Sequence, residues 1–174
     1  EATLVKNALA ELGWKGMATW ATDEDRKQAL TGPAGHNGID SAAYTLYVLS
    51  KWQDTPLDQA YFYGCNREGN WGYLDENYQA TKVYHALRLY GDAVNAERRV
   101  KAESVEPTVS ILATEGRGKK RILVVDYGGM GSSVTLAVRG VAQNAKARVE
   151  LLDWTHDATM SETALVGGRL ALRK

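Results

Sequence analysis

The sequence predicts an α/β segment followed by an all-β one, and three observations carry that reading. Residues 1–91 alternate helical and strand patterns, the mark of parallel βα units. After residue 105 apolar positions recur in short alternating runs separated by glycine turns, the mark of an antiparallel sandwich. The charge also divides: residues 1–95 carry 8 Lys+Arg against 12 Asp+Glu, and residues 96–174 carry 13 against 9. A shift of this kind places a boundary near residue 95. The predicted domains are therefore 1–95 and 96–174.

Each element follows from local pattern. Val5, Ala8, Leu9 and Leu12 share one helical face, and Gly13 is a stop. Residues 17–22 form a short apolar strand that runs into Asp23 and Glu24. Residues 23–38 are polar and carry Gly32, Pro33, Gly35 and Gly38, which predicts a long loop of the kind that is often functional. Asp40 or Ser41 caps a helix to about Trp52. It is apolar nearly all round, so it should be largely buried. Asp54-Thr55-Pro56 breaks it, and Gln59–Gly64 reads as a second, aromatic-rich strand. After a loop with Gly69, Trp71 and Gly72, Asn77 caps a helix that runs to about Tyr90 and ends at Gly91. Two strands do not make a stable α/β domain, so this half needs further strands from elsewhere. The β runs that follow are 108–113, 121–127, 133–138, 148–153 and 169–172. Gly116-Arg117-Gly118, Gly128-Gly129-Met130-Gly131 and Gly167-Gly168 serve as turns. In 133–138, Val134, Leu136 and Val138 share a face.

The totals exclude several classes. Hydrophobic residues make up 44% and charged residues 24%, an ordinary globular composition and not a disordered one. The basic residues form no dense run, so nucleic acid is not an expected partner. No apolar run approaches the roughly 20 residues needed to span a bilayer. The single cysteine, Cys65, allows no intrachain disulfide. His36, His85 and His156 lack metal spacing, and the Gly128–Gly131 turn lacks a phosphate-loop pattern, so neither metal nor cofactor is expected. Both ends of the sequence read as cut through an element, which predicts a fragment or one piece of a processed chain.

The candidate chemistry sits at strand ends. Asp23 and Glu24 end the first strand, where α/β barrels place catalytic groups. The competing reading makes them solvated strand-end residues, with Asp23 or Thr22 capping a turn. Trp71, in a glycine-rich loop, is a candidate for stacking on a sugar ring, as are Tyr63 and Trp20, because flat apolar faces suit one. Tyr61 and Phe62 read as core. Cys65 reads as a packed thiol without a His partner.

The layout resembles the carboxyl end of a retaining glycoside hydrolase of the large (β/α)8 clan that uses two glutamates. It is most similar to the β-xylosidase and α-L-iduronidase family and its exopolysaccharide-cleaving relatives. Trp20-Ala21-Thr22-Asp23 is similar to that group's hydrophobic-x-Thr-Glu motif at the end of strand seven, with Asp for Glu. Tyr61-Phe62-Tyr63 is similar to its aromatic strand-eight end. Gly69-Asn70-Trp71-Gly72-Tyr73-Leu74 and Val83-Tyr84-His85-Ala86-Leu87 resemble its final loop and helix. The resemblance implies the last βα units of a (β/α)8 barrel followed by a β-sandwich, with Asp23 or Glu24 at the nucleophile position. It implies a carbohydrate substrate and an extracellular or periplasmic location. The clan's acid/base lies in an Asn-Glu motif after strand four, a region that would precede Glu1. A companion segment or chain is therefore expected to complete the barrel, and the chain alone should be inactive. The second reading, favoured by Asp at the nucleophile position, is a non-catalytic glycan-binding or assembly module.

Overall fold

A computed structural model describes residues 38–55, 73–75, 77–129 and 133–173, together with the backbone of 18–20 and 60–62. The expected first helix, the 23–37 part of the loop and the 66–72 part of the aromatic loop lie outside the described residues. The chain divides into two compact units, Glu1–Tyr127 and Gly128–Lys174.

In the first unit, β1 (Ala18–Trp20) and β2 (Ala60–Phe62) pair in parallel. Between them in sequence lies α1 (Ile39–Trp52). Its N-cap is Gly38 in extended backbone with no side-chain cap bond, which corrects the expected Asp40 or Ser41. Asp40 instead sits in the first turn, where a carboxylate faces the positive helix end. Ser41 belongs to the buried stripe Ser41, Ala42, Thr45, Leu46, Leu49 and Ser50, whose spacing follows one helical face. The expected burial takes the form of one buried stripe with half-buried flanks, and Lys51 alone of the helix is exposed.

α2 (Lys82–Val94) begins four residues later than Asn77 would have it. Thr81 Oγ1 accepts from Tyr84 N at 3.4 Å and so satisfies one of the helix's orphan donors. The helix also passes through Gly91 instead of ending there. Ala93, in its last turn, is buried, and Ala93 O accepts a 2.5 Å hydrogen bond from Thr114 Oγ1. That tertiary tie and the burial of Ala93 offset the roughly 1 kcal/mol that an exposed glycine costs a helix.

An antiparallel meander follows: β3 (Arg98–Val100), β4 (Val109–Gly116) and β5 (Lys119–Asp126). β4 lies between its neighbours and carries the centre of the core, with Leu112 1% exposed. Both helices pack on β4 and β5 and on each other. The β4–β5 turn is Arg117-Gly118 with φ of 50° and 72°, the pair of positive values a type I′ hairpin needs. Gly116 is fixed by space: a Cβ there would meet the backbone N of Glu97 at 2.7 Å. Arg98 and Lys120 converge on Glu115 across the sheet, and the lysine and then the arginine hold that carboxyl below its usual range.

The second unit contains β6 (Ser133–Ala137), β7 (Lys146–Leu152), β8 (Asp157–Ala164) and β9 (Arg169–Arg173). β6 pairs antiparallel with β9, and β7 with β8. β6 alternates as expected: Leu136 is buried while Ser133, Thr135 and Ala137 are exposed. β3 and β8 are strands that the sequence reading did not contain. Among the described residues beyond 95 there is no helix.

Candidate active site

β1 and β2 are the strands whose carboxyl ends the sequence assigns to chemistry. Parallel pairing brings both carboxyl ends to the same edge, and the register sets Trp20 beside Phe62, Thr19 beside Tyr61 and Ala18 beside Ala60. Chain segments leaving two level strand ends start about 4.8 Å apart, close enough for their side chains to share a ligand. Asp23 and Glu24 follow Trp20 by three and four positions, and Tyr63 follows Phe62 directly. Asp23, Glu24, Tyr63 and Trp71 themselves lie outside the described residues, as do His36 and Cys65. Trp20 is described by its backbone, as the last residue of β1.

The approach from Trp71 to α2 is described from Tyr73 onward. Leu74 and Ala80 form an antiparallel bridge. Asp75 Oδ1 accepts from the backbone N of Asn77 and of Gln79, both at 2.8 Å. Tyr78, between them, is 63% exposed with φ 61°. That is a strained value for a bulky residue, fixed here by Tyr78 N donating to Asp75 O at 3.0 Å. Sequence reasoning missed Tyr78. The available signal was Asp75, since aspartate bonds backbone two residues on and tolerates such turns.

Two further polar clusters stand out. At the end of α1, Arg99 forms a two-pronged ion pair with Asp54, at 2.5 and 3.1 Å, which holds the Asp54 carboxyl below its usual range. The cleft beside it, about 180 Å³, is lined by Lys51 and Arg99 against Asp54 and Glu106. Its charges cancel and it is smaller than a ligand pocket of roughly 300 Å³ or more, so it reads as a structural joint. In the second unit, Asp153 lies in the β7–β8 turn. Burial pushes its carboxyl up, but hydrogen bonds from Thr155 and His156 outweigh that and bring it down to about 2. Among the described residues no group of three or more His, Cys, Asp or Glu could hold a metal ion. Nor is any helix among them long and apolar enough to cross a membrane.

No protein-family model and no curated protein matches the sequence. The fold itself has a counterpart. The structure is similar to a glycoside hydrolase. That protein is a family 30, subfamily 8 xylanase from Clostridium acetobutylicum, matched with a TM-score of 0.65 at 12% identity. The match covers 95% of this chain and 41% of the xylanase, so the chain spans about two-fifths of that protein's length. At this identity the likeness is one of fold.

Proposed function

We propose that this chain is part of a retaining glycoside hydrolase acting on a polysaccharide or oligosaccharide, and that it needs a preceding barrel segment for activity. The observation that carries this reading is the level parallel pair β1–β2 in a chain whose fold matches a xylanase, with two carboxylates three and four residues beyond the end of β1. Residues 1–95 are then the last βα units of a (β/α)8 barrel and 96–174 a β-sandwich. The end of α2 at Val94 and the run of strands after it support that boundary. β3–β5 group with the helices in packing because both helices rest on β4 and β5.

In this reading Asp23 or Glu24 is the nucleophile, and Trp20, Tyr63 and Trp71 form an aromatic wall. A retaining enzyme needs two carboxyl groups about 5–5.5 Å apart. One attacks the anomeric carbon, and the other protonates the leaving oxygen and later activates water. The chain supplies the first, and a companion segment supplies the second. Asp reaches about one methylene less far than Glu, and a misplacement near 1 Å costs on the order of 10²-fold in rate. Asp23 at that position is the observation that favours the second reading, a non-catalytic glycan-binding or assembly module. The variants Asp23→Asn and Glu24→Gln, assayed on aryl β-glycosides with the barrel completed, separate the two. Loss of turnover in one variant with binding kept supports the enzyme. Binding without turnover in the unmutated assembly supports the module.

A further inference from the structure

The turn joining β7 to β8 is Asp153-Trp154-Thr155-His156. Asp153 Oδ1 accepts from the backbone N of Thr155 and of His156, each at 2.8 Å, and from Thr155 Oγ1 at 3.1 Å. His156 Nδ1 lies 2.8 Å from Oδ1 and 3.0 Å from Oδ2. The turn is thus fastened from within. Trp154, at its centre, takes no part in these bonds and is 60% exposed. The strands are also bent here. The register shifts between Leu151 and Leu152, and Ala158, just past the turn, has φ 56°. Bulges re-aim side chains, and strained backbone outside glycine marks places where geometry serves a purpose. A lone exposed aromatic is common on protein surfaces. An exposed indole on a turn fastened by its own neighbours, at a bent hairpin end, is a rigid platform that loses little freedom on binding.

The chemistry of the turn restricts what it would hold. The flat apolar face of the Trp154 indole suits the C–H face of a pyranose. Asp153 and Asp157 put negative charge on both sides, which disfavours nucleic acid and other polyanions. We propose that the Trp154 turn is a second carbohydrate-binding site, which stacks a sugar unit of a neutral β-linked polysaccharide. The choice of a sugar over another neutral ligand rests on the glycosidase reading above. A site of this kind holds the polymer near the enzyme and raises its effective concentration without taking part in the reaction.

The test is a titration of the ¹⁵N-labelled 174-residue chain with xylohexaose, and separately with cellohexaose, following the indole N–H of Trp154, assigned by its loss in Trp154→Phe. The expected result is a saturable shift of that signal by at least one of the two. Followed by the backbone amides of Thr155 and His156, which the variants keep, Trp154→Ala should weaken binding about tenfold or more, equivalent to about 1.4 kcal/mol, while Trp154→Phe keeps it within about threefold. Val166→Ala, an exposed position in the same unit, should leave it unchanged. A Trp154 signal that stays still with both sugars, or an alanine variant that binds as well as the parent, overturns the proposal. Turnover by the completed barrel is a separate readout. Turnover without binding at Trp154 removes this site and leaves the glycosidase reading. Binding at Trp154 without turnover does the reverse.

Discussion

The two units of this chain are stabilised in different ways. In the first, two helices and a three-stranded meander enclose a continuous interior. Ala42, Leu46, Leu49, Val83, Ala86, Ala93, Val109, Leu112, Ala113, Leu123 and Val125 are all buried. In the second, only Leu136 and Leu165 are buried among the described apolar residues. That unit is held instead by strand pairing and by polar turns such as Asp153-Trp154-Thr155-His156. Burial of apolar area is the main favourable term in folding. A unit with so little of it should open locally at lower free energy than the first.

The largest effect expected from this contrast is in the first core. Leu112→Ala removes a side chain enclosed on all sides and should cost about 3 kcal/mol. Amide hydrogen exchange should record that loss across residues 38–127, with 133–173 changed by less than about 0.5 kcal/mol. An equal loss of protection in both units would mean that they open as one body. Gly116→Ala comes next. Its Cβ meets the Glu97 side chain, which can shift, and the Glu97 backbone N at 2.7 Å, which cannot, so about 2 kcal/mol is expected by denaturant unfolding.

In the second unit the effect is electrostatic. The folded Asp153 carboxyl is depressed from 3.8 to about 2, so its stabilisation is present above pH 3.8 and is lost as pH falls toward 2. Asp153→Ala should therefore cost the second unit about 1–2 kcal/mol at neutral pH and progressively less as pH falls through the folded pKa of about 2. Exchange or near-ultraviolet dichroism measured against pH checks this, and a pH-independent loss would assign the residue a packing role instead. The smallest effect is Thr81→Ala, which removes the α2 cap and should cost about 0.5–1 kcal/mol, confined to the first turn of that helix.

How much of this could be read from the sequence follows the same division. α1, β4, β5 and β6 were legible because their apolar positions recur at one clear period and because Arg117-Gly118 is a turn chemistry with few alternatives. β8 was not, since Asp157–Ala164 is exposed along almost its whole length and carries no apolar alternation. β3 is three residues, two of them arginines, and is recruited by pairing with β4. The start of α2 was misplaced because Asn77 and Thr81 are both good caps. Asp75 draws Asn77 into a turn, and Thr81 is left to begin the helix. The charge shift near residue 95 coincides with the change from helix to strand, but packing groups β3–β5 with the helices. At the site, the adjacency of the two strand ends was legible from the βα alternation and is present as the parallel pair. Away from it, the strained turn at Tyr78 and the exposed Trp154 were not, because exposure and strained backbone leave no mark in hydrophobic pattern.

Covalent trapping distinguishes carboxylates beyond β1 that carry out glycosidic chemistry, as proposed, from ones that do not. A 2-deoxy-2-fluoro glycoside with a dinitrophenolate leaving group needs no protonation to react with a nucleophile. The protein completed by its barrel segment would be incubated with the xylobioside form of this reagent, digested and sequenced by mass spectrometry. A single adduct on Asp23 or Glu24, abolished in the matching Asn or Gln variant, is expected. An adduct elsewhere, or undiminished turnover of aryl β-glycosides by the double Asp23→Asn, Glu24→Gln variant, would contradict it.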